Sequence, residues 1–308
     1  ATDPTMSITV TNGVRLNLAM EILTGSCSGA SFVCDNSSTS TTSEFYLNNN
    51  FTVGQTYYVR VFQTEASLVT SFFTICVQNY PTPANDLCSG AIALTPNTSC
   101  VGTSGTFSGS SNTGTSTTCF ANSLQDVWYS FVATDRMMGI TLFGTLGISN
   151  GFEVYENNCS GDMIICRNVN NASSSGESIL YNDFIIGTTY LIRVFNAYSA
   201  TTTNTFSLCI QNYPAPINDN CANAITLTPN ISCVSTDVNL SGATLDGQVA
   251  TSCSPNPSQD VWYKFVATDE VMSISLSSGG TISNGFEVYQ NNCSGNLVIC
   301  RNVNGNTS

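Results

Sequence analysis

Residues 125–135 read QDVWYSFVATD, and residues 259–269 read QDVWYKFVATD. Each is a strand-length run of Val, Trp, Tyr and Phe between polar turn formers, the composition of a β-strand. The Ala-Thr-Asp that closes both stretches also stands at residues 1–3. Repetition spreads outward from there. NDLCSGAIALTPNTSC (85–100) returns as NDNCANAITLTPNISC (218–233), and ISNGFEVYENNCSGDMIICRNVN (148–170) as ISNGFEVYQNNCSGNLVICRNVN (282–304). GQTYYVRVF (54–62) returns as GTTYLIRVF (187–195), and FTICVQNYPTPAND (73–86) as FSLCIQNYPAPIND (206–219). Such self-similarity marks a tandem array. It defines a complete repeat over 84–213, the C-terminal part of a preceding repeat over 1–80 and the N-terminal part of a following one over 217–308. Because residue 1 is Ala and both ends fall inside a repeat, the chain is expected to be a window on a longer product.

Within a repeat, runs such as MGITLF (138–143), GFEVYE (151–156), TTYLIRVFN (188–196) and TFSLCIQ (205–211) are short, aromatic and β-branched. Gly, Asn and Ser separate them, and no window holds a helical i, i+3, i+4, i+7 pattern. Eight or nine strands in about 130 residues predict an all-β fold of tandem antiparallel β-sandwich repeats, jelly-roll-like, with disulfides. The junctions carry Pro81/Pro83 and Pro214/Pro216. Proline fixes φ, so these linkers are expected to be extended and stiff.

Composition excludes whole classes of function. Charged residues make up 9 % of the chain, with 7 basic against 20 acidic and no histidine. Nucleic-acid binding needs clustered Lys and Arg; here the arginines are scattered and Lys264 is the single lysine. Without histidine, Ser-His-Asp and Cys-His catalysis and His-ligated zinc lack material. No G-x-S-x-G elbow or phosphate-cradling glycine loop is present. No apolar run reaches the ~18 residues of a membrane span.

The chain has 14 cysteines. Their closest spacing is C-x₆-C, too wide for zinc knuckles, so disulfides in an oxidising compartment are expected. Cys27–Cys34, Cys159–Cys166 and Cys293–Cys300 are the expected local bridges, closing hairpin-like segments. Cys100–Cys119 and Cys233–Cys253 are the next pairs. For Cys76, Cys88, Cys209 and Cys221 two schemes compete: Cys88–Cys209 within one repeat, or Cys76–Cys88 and Cys209–Cys221 across the proline linkers.

Carboxylates recur at loop–strand junctions. Asp126 and Asp260 precede Trp, Glu153 and Glu287 sit in GFEVY, and Asp86 and Asp219 precede cysteine. Calcium takes six to eight oxygens, which makes Asp126, Asp260, Glu153 and Glu287 candidate calcium ligands; turn capping is the competing reading. The same carboxylates as a glycosidase pair would need a cleft, and nothing marks one. Trp128 and Trp262 could stack on sugars, but a tryptophan in a mid-domain strand is more often core. Arg60 and Arg193, in the YxxRVF strand, fit a glycan contact or, preferably, a packed stem with its head on an acidic neighbour. Apart from calcium, no cofactor is expected.

The motifs NDxC…AI.L, DVWY.F.AT, C-x₆-C, GttYyiRV and tFtlCv together resemble the jelly-roll, CUB-like and pre-peptidase C-terminal type domains of secreted Bacteroidetes proteins. These domains often occur in tandem in large surface proteins, including gliding and adhesion filaments exported by the type 9 secretion system. The resemblance implies calcium in CUB-like relatives and self-contained disulfide pairing, which favours Cys88–Cys209. The function expected is a structural segment of an extracellular, cell-surface filament or adhesin stalk, not an enzyme. Neighbouring copies of the repeat are the expected partners, with surface glycans or a substratum beside them. A carbohydrate- or protein-binding accessory to a secreted enzyme is the alternative.

Overall fold

The computed structural model describes residues 1–11, 17–36, 43–65, 72–114, 120, 123–144, 149–168, 176–198, 200–245, 257–277 and 285–302. Among the described residues the regular secondary structure is β except for two three-residue 3₁₀ turns, Cys88–Gly90 and Cys221–Asn223. No helix among them is long and apolar enough to cross a membrane. The chain divides into two compact units, one of Ala1–Thr134 with Gly139–Asn212, the other of Asp135–Met138 with Tyr213–Ser308.

The first unit opens with β1 (Thr5–Thr11), β2 (Leu18–Thr24), β3 (Ser31–Asp35), β4 (Glu44–Asn48), β5 (Tyr57–Gln63) and β6 (Thr74–Tyr80). They form two three-stranded antiparallel sheets, β4-β1-β6 and β3-β2-β5, around Ile8, Val10, Leu18, Met20, Ile22 and Phe51.

The complete sandwich follows, from β7 (Ile92–Ala93), β8 (Thr103–Thr106) and β9 (Asp126–Val132) through β10 (Met138–Gly144), β11 (Asn150–Glu156) and β12 (Met163–Arg167) to β13 (Gly176–Tyr181), β14 (Thr189–Asn196) and β15 (Thr205–Asn212). A five-stranded sheet, β12-β11-β14-β9-β7, and a four-stranded sheet, β13-β10-β15-β8, make its two layers. Side chains alternate between faces along each strand. Val127, Tyr129 and Phe131 on β9, Phe152 and Val154 on β11, and Ile192 and Val194 on β14 share one face and are all buried. Ile140, Leu142, Phe206, Leu208 and Ile210 fill the other layer's side of the core. Parallel pairing departs from the antiparallel expectation at β7 and at an isolated bridge between Asn97 and Gln211. The two-residue β7 runs parallel to β9, with Ile92 opposite Tyr129, because the chain crosses through β8 before it returns.

The second unit holds β16 (Ile225–Thr226), parallel to β17 (Tyr263–Lys264), and β18 (Gly285–Tyr289), antiparallel to β19 (Leu297–Asn302). These strands stand at the repeat positions of β7, β9, β11 and β12.

Candidate functional site

On the outer face of the five-stranded sheet the register sets Cys166, Glu153, Arg193 and Trp128 side by side on four successive strands. Arg193 is 2 % exposed, and Asp126 and Glu153 are fully buried. Its guanidinium reaches Asp126 Oδ2 from Nη2 at 2.7 Å and from Nε at 2.8 Å. It reaches Glu153 Oε2 from Nη1 at 3.2 Å and Asn112 Oδ1 from Nη2 at 3.0 Å. The Phe195 ring lies 5.7 Å from the guanidinium carbon. One cation against two carboxylates leaves a buried negative charge, which neutral donors offset. Thr113 donates to Asp126 from its hydroxyl at 2.6 Å and its N–H at 3.1 Å, and the Gly114 N–H donates at 3.0 Å. The Tyr155 hydroxyl donates to Glu153 at 2.8 Å.

The segment 111–114 is thereby drawn down over the sheet. Asp86 holds its start, accepting from the Ser111 N–H and hydroxyl at 2.6 and 2.9 Å. Trp128 Nε1 donates to Thr113 Oγ1 at 2.9 Å. A Cβ at Gly114 would strike the Arg193 guanidinium, so only glycine allows this approach. Beside the charged row, Trp128, Tyr155 and Leu191 form a small apolar cluster against which Cys88 and Cys159 pack. Burial opposes the charge on Arg193, but Asp126 and Glu153 outweigh it and raise its pKa. Burial first, and then the hydrogen bond to Glu153, raises the pKa of Tyr155.

The structure therefore brings Asp126, Glu153, Arg193 and Trp128 together, but as a buried, mutually bonded network. Of the four carboxylates expected on calcium, Asp126 and Glu153 are bonded to Arg193. No group of three or more Cys, Asp or Glu among the described residues could hold a metal. In the second unit Tyr289 donates to Glu287 at 2.6 Å, Asp219 accepts from Thr244, and Trp262 packs on Tyr289 at 6.0 Å. The Asp260 N–H donates to the Thr244 carbonyl. In the opening strands Arg60 meets Glu21 at 3.5 Å but is 67 % exposed.

The cysteines correct the expected pairing. The bridges are Cys88–Cys159, Cys100–Cys209 and Cys221–Cys293. Cys159–Cys166 does not form, nor does its counterpart Cys293–Cys300. Cys159 lies in the turn before β12, whereas Cys166 opposes Glu153 within that strand, roughly 10 Å further along at ~3.3 Å per residue. Cys166 and Cys300 are both disulfide-bonded elsewhere. Cys27, Cys34, Cys76 and Cys233 are free and exposed, which removes Cys27–Cys34, Cys233–Cys253 and Cys76–Cys88. Cys88–Cys209, Cys209–Cys221 and Cys100–Cys119 fail because Cys209 sits on β15 next to β8, close to Cys100, while Cys88 faces the other sheet. Cys119 and Cys253 lie outside the described residues.

Reading the sequence missed Gln125, although it heads the repeated stretch. Its buried amide donates to the carbonyls of Phe107 at 2.7 Å and Thr202 at 3.0 Å, tying two loops together. Its recurrence as Gln259 was the available signal.

No curated protein matches the chain. Among solved structures it is similar to the pre-peptidase C-terminal domain of a collagenase from Bacillus anthracis, at 12 % identity and a TM-score of 0.28, over 39 % of this chain and 93 % of that one. It is also similar to infectious bursal disease virus, Gt strain, at 12 % identity and a TM-score of 0.19, over 67 % of this chain and 54 % of that one. For the insecticidal delta-endotoxin Cry8Ea1 from Bacillus thuringiensis the values are 6 % and 0.21, over 64 % of this chain and 42 % of that one. A family model described as galactose binding domain-like matches residues 84–208 and again residues 217–308. With its nearly all-β fold and its disulfides, the chain belongs to this galactose binding domain-like family associated with type 9 secretion, an extracellular accessory type of module.

Proposed function

We propose that the chain is a non-catalytic stretch of a cell-surface filament or adhesin stalk built from tandem repeats of this sandwich. The observation that carries the reading is the fate of the charged residues. The acidic and basic side chains that the repeat assembles, Asp126, Glu153 and Arg193, are spent inside the fold on one another. What recurs from repeat to repeat is framework: bridges, strand register and proline linkers. Neighbouring copies of the repeat are its partners, and in the array Cys27, Cys34, Cys76 and Cys233 take the bonded roles of Cys159, Cys166, Cys209 and Cys100. Negative-stain microscopy of the native material tests this. Long, thin, regular particles are expected; two or three modules beside a compact catalytic domain would overturn it.

The family description, galactose binding domain-like, favours one second reading, a glycan-binding accessory module. A glycan array probed with the purified chain separates the two. Saturable binding to a defined sugar supports the accessory reading, and an array without signal supports the stalk.

A further inference from the structure

Phe107-Ser108-Gly109-Ser110-Ser111 and Leu240-Ser241-Gly242-Ala243-Thr244 are one loop of the repeat seen twice. Both glycines have positive φ, +77° and +79°, a conformation that disfavours any residue with a Cβ. Each also abuts foreign backbone. A Cβ on Gly109 would strike the carbonyls of Tyr80 and Pro81, and one on Gly242 those of Tyr213 and Pro214. These carbonyls open the two proline linkers, at identical places in the repeat.

The second unit shows what completes the contact. The Gly242 N–H donates to Met137 Sδ at 3.3 Å, Gln259 Nε2 approaches the same sulfur at 3.9 Å, and the Tyr213 N–H donates to the Met137 carbonyl at 3.0 Å. Met137 is only 7 % exposed. Thr5, at the matching place in β1, is 1 % exposed and pairs in register with Tyr80.

The loop is braced from behind in the same way each time. Gln125 donates to Phe107 O at 2.7 Å, as Gln259 does to Leu240 O at 3.0 Å. Asp86 accepts from the Ser111 N–H and Asp219 from the Thr244 N–H, both at 2.6 Å. The far end of each linker is fixed too: Asp86 N–H donates to Pro83 O, Asp219 N–H to Pro216 O, and Asn85 and Asn218 exchange hydrogen bonds with Trp128 and Trp262.

We propose that loops 107–111 and 240–244 are docking surfaces for the tail of the repeat before them. Each receives the first two linker carbonyls; loop 240–244 also receives Met137, the residue just before β10, and Thr5 holds the matching place at the head of β1. The proposal rests on the tandem-array reading and adds to it a joint held at both ends of the linker, with glycine as the contact point.

Hydrogen exchange of the whole 308-residue chain tests it, with Met137→Ala, which adds no backbone strain, and Gly109→Val. The native Gly242 amide should be protected. In Met137→Ala its exchange should rise about tenfold, while the Val154 and Ile192 amides in the core strands keep their protection. Gly109→Val should broaden the solution X-ray scattering profile. A native Gly242 amide that exchanges freely, or one unchanged by Met137→Ala, overturns the proposal. Either result leaves the stalk reading to microscopy: filaments with a free Gly242 amide sink only the joint, and short products with a protected one sink only the stalk.

Discussion

Arg193 and Arg60 occupy the same position in two repeats and differ in burial and in their carboxylate partners. Arg193 lies under segment 111–114 with two carboxylates bonded to it; Arg60 stands in water with Glu21 at 3.5 Å. Removing one partner of a buried pair leaves an uncompensated charge and costs about 3–5 kcal/mol, whereas exposed pairs contribute about 0–1 kcal/mol. Arg193→Ala should therefore lower stability by about 3–5 kcal/mol in urea titrations, and Arg60→Ala by less than about 1 kcal/mol. Equal losses would refute this account of the network. Tyrosines give a second test. Burial pushes the Tyr129 hydroxyl up to about 12, and Tyr289 is raised to about 12 chiefly by its hydrogen bond to Glu287. With folded pKa values above the unfolded value, both groups contribute stability that is complete below pH ~10. It is lost as pH rises toward about 12. Absorbance at 295 nm should show these two tyrosines ionising late, with alkaline unfolding accompanying the step; full ionisation by pH 10.5 in a folded chain would contradict it.

At the scale of elements, the bridges join parts of the chain far apart in sequence. Cys88–Cys159 spans 71 residues and Cys100–Cys209 spans 109. The chain-entropy argument assigns such loops about 4–5 kcal/mol each. Replacing Cys100 and Cys209 by serine should lower stability by that order. Non-reducing peptide maps should recover Cys88 linked to Cys159, and a Cys159–Cys166 peptide would be the contrary result. The strands themselves were legible, because Val-Trp-Tyr-Phe runs between Asn and Gly clusters have few other ways to bury themselves. Pairing was not. Spacing along the chain says nothing about which turn folds over which sheet, so the six-residue separation of Cys159 and Cys166 suggested proximity that a β-strand forbids. The charged row was half legible. Asp126, Glu153, Arg193 and Trp128 were each singled out, but their adjacency depends on the register of four strands, and the lid that buries them depends on Asp86, Thr113 and Gly114.

For the whole molecule, the repeats allow an internal comparison of the same motifs in two settings. Residues 84–213 contain both complete sheets and the bridges Cys88–Cys159 and Cys100–Cys209. Among the described residues, 217–308 repeat the strands β7, β9, β11 and β12 and hold no counterpart of β14 or β15. The packing consequence is direct. Ile140 and Leu142 are 0 % and 1 % exposed, whereas Ile274 and Leu276, at the same places in the repeat, are 42 % and 45 % exposed. At roughly 25 cal/mol per Å² of apolar surface, uncovering a handful of such side chains removes several kcal/mol, comparable to the ~5–15 kcal/mol stability of a whole domain. Two isolated two-stranded ribbons cannot make up that loss. A fragment of residues 84–213 should therefore unfold in one cooperative step, with β-type circular dichroism and a near-ultraviolet signal from Trp128. A fragment of residues 217–308, though nearly identical over its motifs, should bind ANS and lack a near-ultraviolet signal from Trp262. Cooperative unfolding of the shorter fragment without ANS binding would show that the first strands of the repeat hold a core of their own, and that β14 and β15 are not what closes the sandwich.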